Sequence, residues 1–137
     1  MITPSLSFPV IIVNNLSATK DFYLENLSFS VAFENDWYLH LVSESGIQVG
    51  FMLPNQPSQP EQFHTGYSGD GVIFSLEVED ADSAYQFAQK RDLNIILTLR
   101  EEEWGQKHFS IQDPNGLFID IVQPIEPSAE FQQGYTN

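Results

Sequence analysis

The sequence predicts an α+β fold: two βαβββ modules forming a curved mixed sheet around a cleft, with helices on the outer faces. Three observations lead there. The order strand, helix, three strands is readable twice. The halves also share residues: Val13-Asn14-Asn15-Leu16-Ser17-Ala18 parallels Val78-Glu79-Asp80-Ala81-Asp82-Ser83 at an offset of 78 − 13 = 65, and Gly46 parallels Gly116 at 116 − 46 = 70. A chain of 137 residues suits one domain with a real core. Two modules that each cover one sheet face with one helix leave their other faces to meet across a cleft. The boundaries read as module one 5–53, linker 54–70, module two 71–124 and tail 125–137, within a single domain.

Residues 8–13 are an apolar run suited to a strand, ended by Asn14-Asn15. Ser17 is the expected N-cap of a helix whose apolar face includes Phe22, Tyr23 and Leu27. Strands follow over 29–33 and 37–42, then a turn at Ser43-Glu44-Ser45-Gly46, then a strand over 47–53. Leu39 and Leu41 suit the helix side, which turns Tyr38 and His40 toward the cleft. Residues 54–70 are rich in Pro, Gln, Gly and Ser without periodicity, and read as a linker.

The second module opens with a strand over 72–78. Asp80 caps a helix in which Ala81, Ala84, Tyr85 and Ala88 fall at i, i+3, i+4 and i+7. A strand over 95–99 precedes the closing hairpin, REEEWGQKHFSIQDPNGLFIDIVQP at 100–124. There Phe109 and Ile111 alternate with polar neighbours and Asp113-Pro114-Asn115-Gly116 makes the turn. Pro114 pre-sets φ, and Gly116 tolerates the positive φ that closes it. Alternation then puts Ile119 and Ile121 on one face and Phe118, Asp120 and Val122 on the other. An acid held mid-strand needs a cation or hydrogen-bond donors facing it. Glu101, Glu102 and Glu103 read as a solvated loop at the cleft mouth, placed to steer a cation.

With 19 acids against 5 bases the net charge is −14. Nucleic acid is therefore a poor partner, because phosphate binding depends on Lys and Arg, and so is an anionic membrane surface. Cysteine is absent, which excludes disulfides and thiolate chemistry. The N-terminus has no basic segment and reads as a strand, not a signal peptide. No stretch approaches the roughly 20 apolar residues of a membrane span, so a cytoplasmic location is the default expectation.

Val13-Asn14-Asn15-Leu16 with Asp21-Phe22-Tyr23, then Val78-Glu79-Asp80, then Asp113-Pro114-Asn115-Gly116 followed by Ile119-Asp120, resemble in order and spacing the vicinal oxygen chelate superfamily. That group includes glyoxalase, extradiol dioxygenases and the bleomycin resistance proteins. Trp104-Gly105 ahead of Phe109 and the turn makes the bleomycin resistance proteins the nearest resemblance. The resemblance implies a homodimer whose subunits pair to complete their sites. Metalloenzymes of the group hold a divalent ion with His, Glu or Gln from four strands; those positions correspond here to Phe8, Gly50, Ile73 and Asp120. Only Asp120 can coordinate, and one carboxylate does not hold a hard divalent ion. No cofactor and no metal is therefore expected.

The cleft so predicted is aromatic and apolar with Glu77 and Asp120 as fixed negative charges, which suits a flat cation. The candidate ligand-binding residues are Tyr38, His40, Glu77, Trp104, His108, Phe118 and Asp120. The function this implies is non-enzymatic sequestration of a cationic aromatic compound, as in antibiotic resistance. An alternative is a divalent-metal-dependent lyase, isomerase or dioxygenase with a displaced site using His40, His108, Glu77 and Asp120. A third is a domain whose cleft is filled by its own side chains or by the tail through Phe131 and Tyr135.

Overall fold

The computed structural model describes residues 1–135; the last two positions of the expected 125–137 tail lie outside the described residues. The chain divides into two compact units, Met1–Ser68 and Gly69–Asn137. Unit 1 runs β1 (Val10–Ile12), α1 (Leu16–Asn26), β2 (Ser30–Glu34), β3 (Tyr38–Val42) and β4 (Gln48–Met52). Unit 2 runs β5 (Ile73–Glu77), α2 (Ala81–Lys90), β6 (Ile95–Glu102), β7 (Gln106–Gln112) and β8 (Phe118–Pro124), then a short α3 (Ala129–Gln132) in the tail. The βαβββ order is thus present twice. Each unit has its own four-stranded sheet, ordered β1-β4-β3-β2 in one and β5-β8-β7-β6 in the other. In both, the first and last strands pair parallel and the remaining pairs are antiparallel.

Period-two alternation decides which face each helix covers. In unit 1, Leu39, Leu41, Val49 and Phe51 are buried on the helix side, where the Tyr23 ring from α1 lies 4.9 Å from Phe51 and 5.8 Å from Phe29. In unit 2, Phe109, Ile111, Ile119 and Ile121 form the matching layer, with Tyr85 of α2 5.1 Å from Phe109. Ala81 and Ala88 are also buried, and such small side chains allow a helix to approach a sheet closely. Each of these large side chains contributes about 1.5–3 kcal/mol by leaving water.

The α1 cap differs from expectation. Asn15, not Ser17, starts the helix: its backbone is extended (φ −140°, ψ 96°) and its Oδ1 accepts the Ala18 N–H at 2.9 Å. Asp80 caps α2 with nearly the same angles (φ −139°, ψ 95°), accepting the Ser83 N–H at 3.1 Å. The offset 80 − 15 = 65 is that of the repeat, so the pair are equivalent caps, and Ser17 falls inside the first turn.

Strand β6 also runs further than expected, through Glu102. Glu101 lies opposite Lys107 and Glu102 opposite Gln106, so two of the three acids read as loop are paired strand residues, and only Glu103 lies in the turn. At the closing hairpin, Asp113 Oδ1 accepts the N–H groups of Asn115 (2.8 Å) and Leu117 (2.9 Å), and Gly116 takes φ +83°. Gly46 in unit 1 takes φ +93°, the same role at the other hairpin. Among the described residues no helix is long and apolar enough to cross a membrane.

Candidate functional site

Each sheet keeps one face away from its helix, and the expected site residues on strands stand there. In unit 1 the register sets Val10, Gly50 and His40 side by side, with Tyr38 and Gln48 one pleat step away. Tyr38, His40 and Gln48 form a polar relay. The Gln48 amide oxygen accepts from His40 Nε2 at 2.7 Å, so His40 Nδ1 is the acceptor for the Tyr38 hydroxyl at 2.8 Å. Phe8 meets the His40 ring edge-on at 4.9 Å. Burial pushes the Tyr38 hydroxyl pKa up, so it stays a donor.

Gly50 is needed for this arrangement. A Cβ there would collide with the Tyr38 hydroxyl oxygen and come within 2.9 Å of its Cζ and 3.2 Å of Val10 Cγ2. The phenol therefore fills the space that a longer residue at position 50 would use.

In unit 2 the register sets Ser75, Asp120 and Ser110 side by side, and Glu77, Val122 and His108 likewise. His108 is 7% exposed and lies between two carboxylates. Its Nδ1 is 2.8 and 2.9 Å from the Asp120 oxygens, and its Nε2 is 2.8 Å from Glu102 Oε2. A carboxylate accepts, so both ring nitrogens carry protons and the ring is an imidazolium. Burial works against that charge, but hydrogen bonds to Glu102 and Asp120 outweigh it and raise the His108 pKa above its usual value. Glu102 is held below the usual carboxylate range by its hydrogen bond from His108, and then by that from Arg100 Nε at 2.7 Å. Ser110 Oγ donates to Asp120 at 2.8 Å.

This cluster changes the expected electrostatics. Asp120, read as a free counter-ion for a ligand, is engaged by His108 and Ser110. Arg100 and His108 balance Glu102 and Asp120, so the group is locally neutral. Glu77 stays exposed on the same face, and Phe118 stands half-buried beside Ile73 and Gln112.

Trp104 is not on the sheet face. It sits in the β6–β7 turn, where Nε1 donates to Gln106 Oε1 at 2.9 Å and the ring meets Phe131 of the tail edge-on at 6.3 Å. The tail docks on that turn by backbone hydrogen bonds, Ile125 N–H to Gly105 O (2.9 Å) and Ser128 N–H to Glu103 O (2.8 Å), and by the Tyr135 hydroxyl to Trp104 O. Docking through Phe131 and Tyr135 is thus realised, on the turn.

Four partners were absent from the expected set: Gln48, Arg100, Glu102 and Ser110. For three of them the signal was there in the two-residue spacings Arg100/Glu102 and His108/Ser110, which put each pair on one strand face. Gln48 shares the face of Gly50 by the same two-residue alternation, and only its bond to His40 needed the register with β3.

The positions that the resemblance assigns to metal ligands do not fit a divalent ion. Phe8 and Ile73 offer no donor, the space at Gly50 holds the Tyr38 phenol, and Asp120 already faces a cation. His108 has no lone pair left to give, since both nitrogens donate to carboxylates. Among the described residues no three His, Asp or Glu are grouped to hold a metal ion.

The profile of the Glyoxalase/Bleomycin resistance protein/Dioxygenase superfamily matches residues 5–121. An uncharacterized protein of Mycobacterium bovis is 21% identical over 131 residues, covering 90% of this chain and 86% of that protein. One of Mycobacterium tuberculosis is 21% identical over 131 residues, covering 90% and 76%. Among solved structures, a member of the same superfamily from Sphaerobacter thermophilus superposes with a TM-score of 0.71 at 24% identity, covering 90% of this chain and 99% of that one. A glyoxalase/bleomycin resistance protein/dioxygenase from Nocardioides gives 0.77 at 15% identity, covering 92% and 87%. TnmS3, an antibiotic binding protein from a Streptomyces species, gives 0.66 at 19% identity, covering 90% and 98%. At these identities the structural likenesses show the fold.

Proposed function

The chain belongs to the glyoxalase/bleomycin resistance protein/dioxygenase superfamily, and from that premise we propose that it is a non-enzymatic binding protein that sequesters a cationic aromatic small molecule. One observation carries the reading. Where the resemblance calls for metal donors, the open sheet faces present large apolar side chains to solvent, Phe8 at 45% and Ile73 at 67% exposure. Exposed apolar surface beside fixed polar groups is what a ligand or partner covers.

The net charge of −14 supports a cation as that ligand. The likeness to an antibiotic binding protein supports a bulky organic one. On the open face of unit 2, Glu77 supplies the free carboxylate and Phe118 a ring face, with His108 and Asp120 as a pre-set polar floor whose hydrogen bonds are already made. On that of unit 1, Phe8 and Tyr38 supply ring faces beside His40, whose hydrogen bonds are likewise made. The proposal extends, on the resemblance, to a homodimer in the cytoplasm and to antibiotic resistance.

A thermal-shift titration against bleomycin, a panel of cationic aromatic compounds, and Mg, Mn, Fe, Ni and Zn ions tests this. A saturable rise with a cationic compound is the expected result. Stabilisation by a metal alone overturns it and favours the metalloenzyme alternative. Phe118→Ala, which removes a ring from the open face of unit 2, is expected to weaken binding by about 1–2 kcal/mol; unchanged affinity removes Phe118 from the site.

A further inference from the structure

We propose that the pocket beneath the C-terminal tail of unit 2 is a site for a small organic ammonium ion, with Glu77 as its counter-ion and Tyr135 as its outer wall. The inference rests on the cationic-ligand reading above and deepens it by assigning the seat of the charged group.

The pocket encloses about 450 Å³, within the range of about 300–1,000 Å³ usual for small-molecule sites. Val122, Pro124 and Ile125 give it an apolar floor, and Gln106 and Gln132 give it amides. Glu77 is its one ionisable carboxylate, and Tyr135 contributes a ring. A carboxylate facing an aromatic wall across apolar surface recognises an ammonium carried on a hydrocarbon body.

The site is built by the fold. Glu77 comes from β5 opposite Val122, and the roof comes from the tail. Gly105, at φ +104°, lets the tail close down, since a Cβ there would lie 2.9 Å from Ile125 O and 3.3 Å from Pro127. No base neutralises the pocket from within the tail, because residues 125–135 include Glu126 and Glu130 and neither Lys nor Arg. Lys107, next to Gln106 in the chain, is paired with Asp82 of α2 on the helix side of the sheet. Arg100 and His108 are already engaged by Glu102 and Asp120, so a cation for Glu77 comes from outside.

The test uses 2-phenylethylammonium and its uncharged counterpart 2-phenylethanol, titrated into the full chain and followed by backbone amide NMR. The ammonium is expected to shift Gly105, Gln106 and Ile125 in a saturable way and to bind at least about tenfold more tightly than the alcohol. Glu77→Gln should abolish that difference, and Tyr135→Ala should weaken the ammonium while leaving the spectrum of the sheet intact. Equal binding of ammonium and alcohol, unchanged affinity in Glu77→Gln, or saturable shifts confined to unit 1 would each overturn the assignment. If neither compound binds while bleomycin or another cation still raises the melting temperature, the pocket assignment fails and the binding-protein reading stands. If no cation of any size stabilises the protein, both fail.

Discussion

Tyr38 and His108 hold equivalent places in the two units, one on β3 and one on β7, and the hairpin offset links them: 108 − 38 = 70. Their neighbours follow the same offset, His40 to Ser110 and Gly50 to Asp120. In both units the first of these side chains leans diagonally across the ladder toward the last strand. Tyr38 finds a glycine there and fills the space; His108 finds a carboxylate and pairs with it. One backbone geometry thus supports an uncharged relay in unit 1 and an ion cluster in unit 2. It also means that the two halves depart from a metal-binding arrangement differently, one by occupancy and one by neutralisation.

Three changes act on that contrast. The largest effect is expected for Asp120→Ala, which leaves His108 Nδ1–H and the Ser110 hydroxyl without their acceptor and His108 with Glu102 alone. Removing one partner of a buried pair costs about 3–5 kcal/mol, readable as a lowered urea midpoint at unchanged slope. A loss below about 1 kcal/mol, the range of exposed pairs, would show that the cluster does not stabilise unit 2. Next comes Gly50→Ala, which drives a methyl into the Tyr38 phenol and should cost about 1–3 kcal/mol by overpacking. An undisturbed Tyr38–His40 hydrogen bond in that variant, seen by NMR of the His40 ring, would separate the relay from the glycine.

The smallest effect is in pH dependence. His108 has a folded pKa raised above its ordinary 6.5, so its contribution is complete below about pH 6.5 and is lost as pH rises through the raised value. Melting temperature in wild type should therefore fall across that window, and His108→Gln should flatten the fall. A profile unchanged by the substitution would assign the titration elsewhere.

Much of the fold was legible because its signals are local. Alternation in β3, β4, β7 and β8, the Asp80 cap and the Asp-Pro-Asn-Gly turn each need only a few neighbouring residues. Even the misplaced α1 cap was recoverable, since the offset of 65 maps Asp80 onto Asn15. The site was less legible because it depends on register between strands. Three successive glutamates look like a solvated loop until β6 and β7 are paired, when alternation turns Glu102 toward His108 and Arg100 and sets Glu101 across from Lys107. Asp120 was rightly placed on the open face with a need for a partner, but the partner lies on the neighbouring strand, 12 residues back in the chain. Gly50 reads as a lost donor in sequence; that its space holds a phenol requires coordinates.

The docking of the tail on Trp104 also gives the protein an optical gauge of its own. The chain has two tryptophans; Trp37 stands in unit 1 and serves as a reference, while the Trp104 indole lies against Phe131 with its N–H bonded to Gln106. Lifting the tail would hydrate that ring and move its emission to longer wavelength. A Trp37→Phe variant would then report tail position from a single fluorophore, without any label, during the same titrations that seek the ligand.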